Sequence, residues 1–170
     1  AFDFVLLSLH KAKAWDDYFE IDYTALSEQQ ISTLLLDYFV ELKQDIQWGG
    51  GDVVGHLTIP LRYMHRVGVT PSLSPYEEQI DDVLKAIINQ GMGMELNTAE
   101  VRRGREYMPT MEIFRRYHEL GGEIVTIGSD AHRAKDMGSH IREGMEFLEQ
   151  AGFRYFAVYR NRKPKFYLLD

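Results

Sequence analysis

Carboxylate, imidazole and guanidinium side chains recur in this 170-residue chain where apolar runs stop. Glu123-Ile124-Val125-Thr126-Ile127 is apolar and β-branched, and Gly128-Ser129-Asp130-Ala131-His132 follows it. If extended backbone continues past Ser129, alternation puts Asp130 and His132 on one face. A carboxylate oxygen and an imidazole nitrogen converging from one strand end are donors that Zn²⁺, Mn²⁺ or Fe²⁺ accepts. The same residues also read as a turn in which Asp130 caps the next segment and His132 is incidental.

Further donors end other apolar runs. His10 closes residues 4–9, His56 closes the run 52–57, and Glu95 and Asn97 stand at the end of 92–96. In parallel α/β architectures the carboxyl ends of the strands are where sites are built. His65, His118 and His140 fall in a loop, in a helix and near a helix start, and read as solvated side chains. The sequence has no cysteine, so any metal would be held by His, Asp, Glu or water.

The elements that must position these groups show in the periodicity. Ile31, Leu34, Leu35, Tyr38, Phe39 and Leu42 recur at helical spacing, with Ser27 and Gln30 as a capping box. Residues 58–73 read as a loop. Ser74, Pro75 and Glu77 predict the start of a second helix, whose apolar face is Ile80, Val83, Leu84, Ile87 and Ile88 and whose end is Gly91. Helices are also expected over 111–120 and 138–150. Two short closing strands, 155–159 and 165–169, flank Asn161-Arg162-Lys163-Pro164. Alternation of strands and helices at this spacing predicts parallel strands with right-handed crossovers.

An apolar content of 45% supports a globular core, and a formal net charge of −7 argues against a general nucleic-acid or anionic-membrane binder. No apolar run approaches a membrane span, and absence of cysteine fits a cytoplasmic location.

Phe4-Val5-Leu6-Leu7-Ser8-Leu9-His10, Asp52-Val53-Val54-Gly55-His56-Leu57, Glu95-Leu96-Asn97-Thr98 and Gly128-Ser129-Asp130-Ala131-His132 occur in that order. Together they resemble the later motifs of the PHP (polymerase and histidinol phosphatase) family, in its histidinol-phosphatase branch. The ending Tyr159-Arg160-Asn161-Arg162-Lys163-Pro164 is similar to how that branch closes. The resemblance implies a distorted seven-stranded β/α barrel over a single domain, 1–170, holding up to three divalent ions (Zn, Mn or Fe). It implies metal-hydroxide attack on L-histidinol phosphate in histidine biosynthesis. By position it implies His10, His56, Asp130 and His132 as metal ligands, Asp130 and His132 as catalytic residues, and Arg62 and Arg102 as phosphate-binding residues. Read without it, Arg62 is a solvated loop charge, and Arg102 with Arg103 and Arg105 is a solvated basic turn.

The family's first motif, His-x-His, does not occur here, and the ligating glutamate expected before His10 is absent. The chain opens on Ala1. The expectation is a domain lacking its amino-terminal strands, with exposed strand edges that favour homo-oligomers. Two alternatives stand beside it: a PHP phosphoesterase of other specificity, and a non-catalytic α/β module with a decayed site.

Overall fold

The computed structural model describes residues 2–169, so Ala1 and Asp170 lie outside the description. Four parallel strands form one sheet in the order β1-β2-β3-β4: β1 Leu6–Leu7, β2 Val53–Val54, β3 Gly93–Asn97 and β4 Val125–Gly128. The register sets Leu6 beside Val53, Val53 beside Gly93 and Met94 beside Val125. Each strand lies next to its predecessor in the sheet. Strands β5 (Tyr155–Arg160) and β6 (Lys163–Leu168) form a separate antiparallel hairpin. The described residues form a four-stranded parallel sheet and a separate hairpin; the barrel that the resemblance implies, expected here without its amino-terminal strands, is not itself shown by them.

Five α-helices join the strands: α1 Glu28–Trp48, α2 Ile59–Arg66, α3 Glu77–Asn89, α4 Met111–Glu119 and α5 Ile141–Gln150. The Ser27 and Gln30 capping box is present at the start of α1, and its predicted apolar face is buried. Helix α3 packs against both α1 and α4, and these helices enclose Leu34, Phe39, Val83, Ile87, Phe114 and Tyr117. Truncating a fully buried leucine such as Leu34 to alanine costs about 2–5 kcal/mol in cores of this kind. Helix α5 lies against the other end of the sheet: a Cβ on Gly144 would stand 3.1 Å from Ile127 and 3.3 Å from Leu96.

Two local expectations need correction. The predicted Ser74 cap is not formed: residues 74–76 make a 3₁₀ turn, α3 begins at Glu77, and Tyr76 precedes it without a side-chain cap bond. Residues 58–73 are not all loop, because α2 occupies Ile59–Arg66, with Pro60 in its first turn. Thr58 enters α2 at φ +73°, its amide held by the Tyr38 hydroxyl at 3.0 Å. The hairpin turns through Asn161 and Arg162, both at positive φ, the geometry of a two-residue primed turn. Its tip is tied to the chain start, where Asn161 N donates to Asp3 Oδ1 at 2.7 Å.

Candidate active site

The four parallel strands run in one direction, so their carboxyl ends share one side of the sheet. Two glycines let those ends approach closely. A Cβ on Gly55 would lie 2.9 Å from both Leu6 Cδ2 and Ser8 Oγ, and one on Gly128 would lie 2.1 Å from Glu95 Oε1. Past these glycines the backbone leaves the strand abruptly: His56 has φ +26° and Asp130 has φ +47°. Non-glycine residues in this region carry strain, which clusters at functional sites.

A cavity of about 950 Å³ opens here and is lined by His10, His56, Arg62, Arg102, Asp130 and His132 among others. Every residue expected to take part in the site thus reaches one cavity. The His10 and His56 rings meet edge to face, with centroids 4.9 Å apart. His132 Nε2 stands 3.4 Å from Asp130 Oδ1. Alternation along a strand does not produce that pair, because β4 stops at Gly128 and Asp130 turns left-handed. The turn itself brings His132 back over the carboxylate, leaving the imidazole 87% exposed.

Arg62 lies at the centre. It projects from α2 and is 93% buried as a side chain, so it is not the solvated loop charge that the sequence also allowed. Its Nη1 donates to Asp130 Oδ2 at 2.8 Å and its Nη2 to Asn97 Oδ1 at 2.9 Å. Asn97 Nδ2 donates to Glu95 Oε2 at 3.2 Å, and His56 N donates to that same oxygen at 2.9 Å. Arg62 Nε is buried and has no hydrogen-bond partner within the protein. Arg102 reaches the same cavity: its Nη1 donates to the Ser129 carbonyl and to Ser139 Oγ, holding the loop that carries Asp130.

The electrostatics follow from this wiring. Burial, followed by the Arg62 and His10 charges, pushes the His56 imidazole down to about 4, so it is neutral at pH 7. Burial raises the Glu95 carboxyl, despite its hydrogen bonds from His56 and Asn97. For Asp130, burial alone would raise the carboxyl, but the Arg62 charge and hydrogen bond outweigh it and hold it below the usual range.

A divalent ion needs three or more donors about one point. Among the described residues no three His, Asp or Glu side chains gather in that way. The four expected ligands form two pairs, and Arg62 already holds one oxygen of Asp130. The donors are of the right kind, but as arranged they do not close around an ion.

Sequence reasoning missed Glu100, Arg66, Asp17 and Glu20, all of which line the cavity. Arg66 could have been found, since Arg62 and Arg66 are four apart beside Pro60 and share a helix face. Glu100 carries a weaker signal: it opens a stretch that holds Arg102, Arg103 and Arg105 and is followed by a second acid, Glu106.

No family model matches the chain. It is 28% identical over 157 residues to a probable histidinol-phosphatase of Thermotoga maritima, covering 92% of this chain and 60% of that protein. It is 26% identical to a probable histidinol-phosphatase of Clostridium acetobutylicum, covering 90% of this chain and 59% of that protein. The chain thus spans about 60% of the length of these curated relatives. Among solved structures, its fold is similar to that of histidinol phosphate phosphatase from Lactococcus lactis complexed with zinc, L-histidinol and phosphate. The TM-score is 0.75 at 20% identity, covering 96% of this chain and 62% of the other. These likenesses support a mixed α/β fold with a parallel sheet. Among the described residues no helix is long and apolar enough to cross a membrane.

Proposed function

We propose that this chain carries the phosphate-binding part of a phosphomonoesterase acting on L-histidinol phosphate, in histidine biosynthesis. The observation that carries the reading is Arg62: a buried guanidinium that lines, together with Arg102, a cavity flanked by His10, His56, Asp130 and His132. A planar guanidinium suits a phosphate dianion by charge and by paired hydrogen bonds. The relatives named histidinol-phosphatase support the same substrate, as does the neighbour's complex with L-histidinol and phosphate.

In this reading Arg62 and Arg102 hold the phosphoryl group. Asp130 orients His132, whose exposed imidazole faces the cavity and exchanges protons with the reacting oxygen. His56, kept neutral, leaves a nitrogen lone pair free. The neighbour's zinc suggests a divalent ion (Zn, Mn or Fe) for the complete enzyme, with His10, His56, Asp130 and His132 as ligands. Such an ion supplies a water of low pKa. For that Asp130 would have to leave Arg62, and His132 would then serve as a ligand in place of exchanging protons.

A second reading, an anion-binding module without turnover, is favoured by the Arg62–Asp130 pair, which keeps the carboxylate engaged. Release of phosphate from L-histidinol phosphate separates the two. It is measured with and without added zinc or manganese, with a nucleoside monophosphate as the comparison ester. Turnover selective for histidinol phosphate is expected. Binding with no turnover under any metal supports the second reading, and selective turnover of the nucleotide points to a phosphoesterase of other specificity.

A further inference from the structure

Glu100 follows β3 by three residues, and its carboxylate is 96% buried. Four guanidiniums converge on it. Arg66 Nη2 lies 2.5 Å away, Arg105 Nη1 3.0 Å, Arg103 Nε 3.6 Å and Arg62 Nε 3.9 Å. Two of these come from α2, and two from the loop after Glu100 itself, whose Arg103 and Arg105 amides donate to the Glu100 carbonyl at 2.9 and 3.1 Å. One carboxylate therefore joins two segments of chain that are far apart in sequence.

The charges do not balance within this group. Four arginines share two carboxylate partners, Glu100 and, through Arg62, Asp130, which leaves an excess of two positive charges. Like charges so close repel one another unless an anion sits among them. Arg62, Arg66 and Arg103 line the cavity, and Arg103 is 60% exposed there. A phosphate monoester dianion carries the matching charge, and the Arg62 Nε faces the same Glu100 carboxylate without hydrogen-bonding to it.

We propose that Glu100 is a positioning residue of the phosphate site, gathering Arg62, Arg66 and Arg103 on one cavity wall so that Arg66 and Arg103 become further contacts to the phosphate. This rests on the reading of the cavity as a phosphate site. Without Glu100 neither rim arginine keeps a carboxylate partner among the described residues, and Arg66 keeps only the Tyr63 ring, whose centroid is 5.1 Å from its guanidinium carbon.

The test is calorimetric titration of inorganic phosphate into the 170-residue chain and its variants Glu100→Gln, Glu100→Asp, Arg103→Ala and the Glu100→Gln, Arg103→Ala double substitution. Loss of one charge-assisted contact predicts affinity on the order of tenfold weaker for Arg103→Ala, and loss of two predicts a larger drop for Glu100→Gln. The double variant should be no weaker than Glu100→Gln, because Arg103 acts only when held, and Glu100→Asp should restore part of the loss. Phosphate bound by Glu100→Gln as tightly as by the parent, or tighter through added positive charge, overturns the proposal. So do losses that multiply in the double variant. If Glu100→Gln does not fold, Arg66→Ala and Arg103→Ala carry the test from the rim, and unchanged affinity in both overturns the proposal. Binding abolished by Arg62→Ala but indifferent to Glu100 and Arg103 overturns this inference and leaves the phosphate site standing. A parent chain that takes no phosphate overturns both.

Discussion

Arg62 Nη1 donates to Asp130 Oδ2 at 2.8 Å, joining a helix after β2 to the turn after β4 across 68 residues of sequence. The pair sits at the carboxyl ends of the strands, where a parallel sheet collects side chains from distant segments. It keeps a guanidinium in the protein interior and places a carboxylate beside an exposed imidazole.

Asp130→Asn should therefore cost stability as well as site chemistry. Arg62 would keep Asn97 and the Glu100 carboxylate at 3.9 Å but lose the nearer of its two compensating charges in a largely buried position. The expected loss is roughly 2–3 kcal/mol, read from urea unfolding. His132→Ala should leave the unfolding midpoint at the parent value, since that side chain is 87% exposed. Equal midpoints for Asp130→Asn and the parent would show that the ion pair is not holding Arg62.

Gly128→Ala should disturb the same network from behind. The added Cβ would meet Glu95 Oε1 at 2.1 Å, and Glu95 cannot swing freely while its other oxygen accepts from His56 N and Asn97. Overpacking of this kind costs about 1–3 kcal/mol. Unchanged stability by thermal melting would mean that Glu95 relocates without penalty.

The acid limb of stability should depend on Glu100. Burial alone would raise its carboxyl, but the Arg66 hydrogen bond and charge, then Arg105 and Arg62, hold it below the ordinary value of 4.5. The folded state therefore binds a proton less readily than the unfolded chain does. The resulting stability is complete above the unfolded value and is lost as pH falls through the folded one. Arg62 and Arg66 of α2, and Arg103 and Arg105 of the following loop, are the charges facing this carboxylate, with His65 nearby. Denaturant midpoints measured from pH 6 downward should fall more steeply for the parent than for Glu100→Gln below about pH 4.5. Parallel curves would remove Glu100 from the acid response.

What could be read in the sequence, and what could not, follows from the range of each interaction. The α1 cap was legible because Ser27 and Gln30 need only each other. Helix α2 was not, because it is eight residues long and begins from a left-handed Thr58 held by Tyr38, twenty residues earlier. The pairing of Asp130 with His132 was expected, though the cause is a turn and not strand alternation. Arg62 and Arg102 were placed by resemblance to the PHP family, and both reach the cavity. Glu100 stayed invisible because a buried carboxylate makes sense only once arginines from two distant segments are seen around it. The strand run 4–9 shrank to Leu6–Leu7 because pairing, not apolarity, defines a strand, and β1 has a neighbour on one side only among the described residues.

We propose that Arg62 and Arg102 hold the phosphate of a histidinol-phosphate-like ester. The most direct test is calorimetric binding of L-histidinol phosphate to the 170-residue chain and to Arg62→Ala and Arg102→Ala, without added metal. Saturable binding that competes with inorganic phosphate and weakens on the order of tenfold or more in each variant is expected. No binding by the parent, or equal binding by all three, would contradict it.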